Sequence, residues 1–204
     1  MNPPTAPQFR RGYRAFEKRE ARQAMYKIAT FLVDHFWGHP AEMADSLGVL
    51  LLTWNQAFYR YGPFDYRRLQ RAVESNLAAL KAFRKRDVTS YSSHDDKTLK
   101  RLFRVFSNAL QICRGSRKGH RSPVAVAKAL HLLAPSYFPL WDDKIARAYH
   151  CYYNNDPAQR YVDFVQITKT IADKLSPQLP AHPRPFTKRF DEYNYARFTK
   201  SWLH

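Results

Sequence analysis

Residues 114–145 read RGSRKGHRSPVAVAKALHLLAPSYFPLWDDKI, and this run decides the fold. It opens on a basic, glycine-containing loop, Arg114-Gly115-Ser116-Arg117-Lys118-Gly119-His120-Arg121. Pro123 follows where a first helical residue is favoured, because the N–H it lacks would be unpaired there anyway. Val124 to Leu133 is apolar and free of glycine, which predicts a buried helix ended by Pro135. Phe138-Pro139-Leu140 then crosses to Trp141-Asp142-Asp143-Lys144, where carboxylates at the start of another helix suit its dipole.

Working outward, the pattern stays helical. Ser93 with Asp96 predicts a capping box, ahead of a helix carrying Leu99, Leu102, Phe103, Phe106 and Leu110. Upstream, Phe64 to Phe83 keeps Leu69, Val73, Leu77 and Leu80 in register, and Gly62-Pro63 precedes it as a turn. Ala41 to Trp54 reads as a helix buried nearly all round, with Met43, Leu47, Leu50 and Leu51 on one face. A first helix runs from Tyr13 toward Trp37; its early part carries Arg14, Lys18, Arg19 and Arg22, and Gly38-His39-Pro40 breaks it. Downstream of Asn155-Asp156-Pro157, Ala158 to Leu175 is the last clear helix, and Pro177 to Pro185 holds four prolines. There are no strand pairs with hairpin signals and no internal repeat. The expected class is all-α, with three parts: a flexible basic arm (1–12), a helical domain (13–176), and a proline-rich, then basic and aromatic, C-terminal extension packing on the domain (177–204).

Charge narrows the function. Lys and Arg number 34 against 17 Asp and Glu, a net charge of +17, which points to a polyanionic partner. At 45% hydrophobic residues the chain can fill a core, and six glycines argue against a β-rich fold. No apolar run approaches the roughly 18 residues of a transmembrane helix, so no membrane span is expected. Met1 to Pro7 lacks the apolar core of a secretory signal. Cys113 and Cys151 make neither a disulfide framework nor a zinc site, and a reducing cytoplasm suits them. No His-Glu-x-x-His run is present, so neither metal nor cofactor is expected.

The order of loop, helix, crossing and carboxylate resembles the helix–hairpin–helix DNA glycosylases. In that superfamily a hairpin grips the DNA backbone, and a segment of the form Val-Asp-Thr-His-Val presents the catalytic aspartate. Trp141-Asp142-Asp143-Lys144-Ile145 is similar to it, with Asp142 at the aspartate. Leu51-Leu52-Thr53-Trp54-Asn55-Gln56 resembles the family's Leu-Ser-Ala-Gln segment, which places Asn55 near a residue that fills the gap left by a flipped base. Gly119-His120-Arg121-Ser122-Pro123 stands where the family has Leu-Pro-Gly-Val-Gly. Lys128 lies 14 residues before Asp142, a helical turn short of the Schiff-base lysine of bifunctional members, and no cysteine-rich iron–sulfur loop follows. The resemblance implies a fold of two helical lobes around a cleft and a monofunctional enzyme. Such an enzyme acts as a monomer on double-stranded DNA with a flipped base.

The chemistry asks for these residue types. Cleaving an N-glycosidic bond builds positive charge on the sugar, which a carboxylate such as Asp142 stabilises while activating water. Aromatic side chains offset the cost of unstacking the base, and Trp54, Asn55, Gln56, Phe58, Tyr59 and Trp141 are the candidates for base pocket and gap filling. Arg114, Arg117, Lys118, His120 and Arg121 are the candidate phosphate contacts, with Gly115 and Gly119 allowing close backbone approach. Two further basic clusters are Arg10, Arg11, Arg14, Lys18 and Arg19, and Lys188, Arg189, Arg197 and Lys200 among aromatics. Each has a structural counterpart: Asp142 and Asp143 as helix-capping acids, Lys128 as a stem covering the core, His131 as a hydrogen-bonded core histidine. The expected activity is removal of a modified or damaged base, phage DNA bases included, leaving an abasic site. The alternative is a non-catalytic DNA- or RNA-binding protein of the same fold.

Overall fold

The computed structural model describes residues 3–21 and 23–203, and among them it is helical throughout, with no strand. Met1, Asn2, Arg22 and His204, which the basic arm, the first helix and the C-terminal extension would include, lie outside the described residues.

The first helix, α1 (Ala6–Arg19), starts earlier than its sequence suggests. The Thr5 side chain and the Gln8 side chain each bind the other's backbone N–H, and Pro7 sits in the first turn. Residues 6–12 are therefore not a flexible arm: Phe9 is fully buried, as are Tyr13 and Phe16 further on. Gly12 lets the helix approach so closely that a Cβ there would meet the Tyr193 ring at 2.4 Å. Arg11, Arg14 and Lys18 stay outside as a basic stripe on the opposite face. The single helix expected from Tyr13 to Trp37 is two, because α1 and α2 (Gln23–His35) bury their faces against different partners. One straight helix cannot serve both.

Helix α3 (Pro40–Trp54) packs on α2 and buries Met43, Leu47, Leu50 and Leu51 as read, though Leu52 faces out. A short turn, α4 (Gln56–Tyr59), follows. The helix expected over 64–83 is interrupted into α5 (Tyr66–Glu74) and α6 (Leu77–Arg84). At the break Asn76 is buried and turns its amide back onto the Ala72 carbonyl at 2.8 Å, competing with the backbone ladder. Ahead of α7 (Asp96–Ala109) a capping box forms one residue earlier than read, between Ser92 and Asp95.

Helix α7, the loop 110–122 and α8 (Pro123–Leu133) make a helix–loop–helix, with α8 buried along most of its length and Ser122 capping the Ala125 N–H. A crossing leads to α9 (Asp143–Ala148), capped by Asp142, and then to α10 (Pro157–Leu175). Last come α11 (Phe186–Asn194) and a π-helical turn, Tyr195–Thr199. Residues 177–203 are more than an extension lying on a finished domain. Thr187, Lys188, Phe190 and Glu192 are fully buried, and α11 packs along α1 within the one continuous apolar core. No helix among the described residues is long and apolar enough to cross a membrane.

Candidate functional site

The loop after α7 is built on its own backbone. The Ile112 N–H donates to the His120 carbonyl at 2.9 Å and the Gly119 N–H to the Ile112 carbonyl at 2.8 Å, which pinches residues 113–118 outward. Gly115 and Gly119 hold positive φ of 95° and 86°, the left-handed region that glycine enters without strain. Gly62, at φ 149°, lies under the loop, and a Cβ there would stand 1.9 Å from the Arg114 carbonyl. Arg114, Arg117, Lys118, His120 and Arg121 are all exposed on it. Arg117 places its guanidinium 3.7 Å over the Tyr61 ring, a cation–π contact on the exposed loop. Beside the loop a groove of about 640 Å³ is lined by Arg121 together with Arg104, Tyr152, Tyr153 and Asp156, of which Arg104 and Asp156 pair at 3.3 Å; of these only Arg121 is marked by the sequence pattern.

Behind it lies a cavity of about 250 Å³, sized for a single ring system rather than a large ligand. Trp54 and Asn55 reach it from the end of α3, Lys128 from α8, and Trp141 and Asp142 from the crossing before α9. Five residues nominated from separate sequence segments thus share one cavity. Trp141 contributes little more than an edge, being 1% exposed and packed among Phe103, Tyr153, Tyr161 and Phe164. Gln56, Phe58 and Tyr59 are not in the cavity, which is a correction to the sequence reading. The turn at α4 carries them away: Gln56 is exposed, Phe58 packs on the core, and the Tyr59 hydroxyl donates to the Leu110 carbonyl at 3.0 Å, anchoring the root of the basic loop.

Asp142 is oriented at both oxygens. Oδ1 accepts the Ile145 N–H at 2.8 Å and Oδ2 accepts the Thr199 hydroxyl at 2.7 Å. Asp143 points elsewhere, into an exposed pair with Arg147 at 3.0 Å. The Lys128 ammonium donates to the Trp54 carbonyl at 2.5 Å and to Asn55 Oδ1 at 3.4 Å, where a cation suits the end of α3. Asn55 donates in turn to Ser122 Oγ at 3.2 Å. These contacts tie the cavity to the start of α8. His131 is in the core: its Nδ1–H donates to the Phe138 carbonyl at 2.7 Å and its Nε2 accepts the Tyr26 hydroxyl at 2.9 Å.

Val124 and Leu140 add apolar wall, and the rest comes from the two ends of the chain: Phe16 of α1 and Glu20 just after it, Asp191 of α11 and Tyr195. The basic, aromatic cluster of Lys188, Arg189, Arg197 and Lys200 suits either nucleic acid or a tail whose aromatics pack on the body; Lys188 and Arg189 are buried. Lys188 is fully enclosed. Its ammonium is 3.0 Å from Asp191 and 3.5 Å from Glu192, and within 4.7–5.0 Å of the Phe16, Tyr26 and Trp54 ring centroids. Arg184 also pairs with Glu192, at 2.7 Å, and with Glu17. The one signal in the sequence was Asp191-Glu192, an acidic pair inside a basic stretch. Among the described residues no three His, Cys, Asp or Glu side chains converge on a metal-sized site.

Two buried groups pull stability in opposite directions with pH. Burial pushes Glu192 up from 4.5 to about 7, against the pull of Lys188 and Arg184. The folded state holds that proton more tightly, so this contribution is fully present below pH 4.5 and is lost as pH rises to 7. Burial pushes His131 down from 6.5 to about 3, so its contribution is present above pH 6.5 and is lost as pH falls toward 3. Relative to the wild type, Glu192→Gln is therefore expected to gain about 1.4 kcal/mol per unit as pH rises between those two values for Glu192. Urea melts across the range check it, and a difference that does not vary with pH would contradict it.

No protein-family model, no curated protein and no solved structure matches this chain.

Proposed function

We propose that this protein is a DNA glycosylase that hydrolyses the N-glycosidic bond of a modified or damaged base. The observation that carries the reading is Asp142: a carboxylate fixed at a ring-sized aromatic cavity, directly downstream of a helix, a basic loop and a helix. In this reading the exposed loop grips phosphates and the base turns into the cavity between Trp54 and the Phe16–Tyr195 side. Asp142 then faces the developing sugar cation. The α3–α8 side and the α1–α11 side act as the two lobes of the cleft. Lys128 is engaged by the end of α3, which favours simple hydrolysis over a Schiff base. The test is incubation with genomic and phage DNAs followed by mass spectrometry of released bases and by alkaline cleavage. Released base with alkali-labile sites, and no adduct trapped by borohydride, is the expected result. The non-catalytic reading has one observation in its favour, that both Asp142 oxygens already serve structure; DNA binding without base release would select it.

Salt tests the loop separately. Each phosphate neutralised contributes about −0.9 to the slope of log affinity against log salt on duplex DNA. Replacing Arg117, Lys118 and Arg121 with alanine should make that slope shallower by about one per lost contact, with base preference unchanged. A slope that stays put on filter-binding or anisotropy titration removes the loop from the interface.

A further inference from the structure

We propose that Asp191 is a second catalytic carboxylate of the cavity, the general acid that protonates the departing base, and that the base removed is consequently a neutral one. This rests on the glycosylase reading.

Asp142 and Asp191 line the same cavity from different elements, the mouth of α9 and the middle of α11. Their surroundings differ in kind. Asp142 is half-buried and receives a backbone N–H and a hydroxyl. Asp191 keeps 12% of its side-chain exposure, and its hydrogen-bonded cation, Lys188, is shared with Glu192. Burial raises Asp191 above the ordinary carboxylate range; Lys188 opposes this, the charge of Asp142 adds to the rise, and Lys128 lowers it. Glu20 and Tyr195 line the same cavity, and the Tyr26 ring packs on the same Lys188 ammonium. Two carboxyl groups line one cavity, one receiving N–H and O–H donors and one enclosed where burial favours its protonated form, and so are placed to divide the acid and base roles between them.

The chemistry balances on these two groups. The C1′–N bond breaks and its electron pair passes to the base, which takes the proton from Asp191. Water adds through oxygen to C1′ and gives its proton to Asp142. Return of that proton to Asp191 through solvent restores both carboxyls, leaving free base and an abasic sugar hydroxyl. A base already quaternised by alkylation leaves neutral and needs no acid. A neutral base leaves as an anion unless protonated, so an acid in the cavity is of use only to it. General acid catalysis of this sort contributes about 10²–10⁴-fold.

The experiment compares wild type, Asp191→Asn and Asp191→Glu on the base panel, and on dimethyl sulfate-treated DNA carrying cationic 7-methylguanine. The wild type should release a neutral base at a rate that falls on the alkaline side. Asp191→Asn should lose about 10²–10⁴-fold and that alkaline limb together, with Tm little changed, and Asp191→Glu should keep the limb. In parallel, the Asp191 carboxyl ¹³C titration should lie above the ordinary range and move down in Asp142→Asn. Asp191→Asn within about threefold of wild type with its alkaline limb intact, or 7-methylguanine as the only base released, overturns the acid and leaves the glycosylase standing. A ¹³C midpoint in the ordinary range, indifferent to Asp142→Asn, overturns it whatever the activity. Release of no base by the wild type is the distinct failure, that of the glycosylase reading itself.

Discussion

Asp142→Asn is expected to bind DNA as the wild type does and to lose at least about a hundredfold in base release, the cost of removing an electrostatic contact worth several kcal/mol at a transition state. The amide is close to isosteric. Its oxygen can still accept the Ile145 N–H, and its N–H can donate to the Thr199 hydroxyl, which rotates from donor to acceptor. What it cannot supply is negative charge toward the cavity or a base for water. Asp143→Asn is the internal control, because that carboxylate lies outside in a surface pair with Arg147, and surface pairs contribute about 0–1 kcal/mol. Single-turnover base release and binding isotherms measured on the same preparations separate the effects. Equal losses in the two variants, or a lower Tm with an unchanged rate, would make Asp142 a helix cap and nothing more.

Lys188→Met is expected to cost about 3–5 kcal/mol of stability. The methionine fills much the same space against Phe16, Tyr26 and Trp54, so packing is not the issue. The loss is of the cation that Asp191 and Glu192 share, which leaves Asp191 without its ammonium and Glu192 with Arg184 alone. For a chain of this size the penalty corresponds to roughly 6–20 °C in Tm. It should shrink in acid, because protonating the two stranded carboxyls removes the charge that lacks a partner. The double change Lys188→Met with Glu192→Gln should recover part of the stability, whereas additive losses would show that the three groups are not energetically coupled.

How far the sequence could be read depended on where the partners of each residue lie. The run from Arg114 to Ile145 declares itself locally: Ser122 and Pro123 start α8, Asp142 caps α9, and both signals act within a few residues. Asn55 and Lys128 were marked by the resemblance to glycosylase segments and Trp54 as a stacking aromatic, and the fold brings all three to the cavity that Asp142 lines. Gln56, Phe58 and Tyr59 looked equivalent to Trp54 in sequence, but the turn at α4 takes them away from the cavity, Tyr59 to the root of the basic loop. The ends of the chain were legible only in part, for the opposite reason: residues 177–204 read as packing on the domain but not as burying their charges. A segment with Lys188, Arg189, Asp191 and Glu192 reads as a surface, since charged groups are seldom buried unless paired. Here their partners are each other and the rings of α1, α2 and α3, none visible from composition. Burial of α1 was hidden likewise, because Phe9, Tyr13 and Phe16 find their cover some 170 residues away.

That pairing of α1 with α11 sets a timetable for the newborn chain. Ribosomes add roughly 5–20 residues per second, so α1 emerges and then waits on the order of 10–30 s before α11 exists. For that interval Phe9, Tyr13 and Phe16 present an apolar stripe to whatever is nearby, flanked by arginines that any RNA on the ribosome surface would attract. Closing so long a loop is also slow, since its entropy must be lost before any contact repays it. Synthesis of this protein should accordingly lean on holding chaperones more than its helical content suggests, and slowing translation should lower its soluble yield.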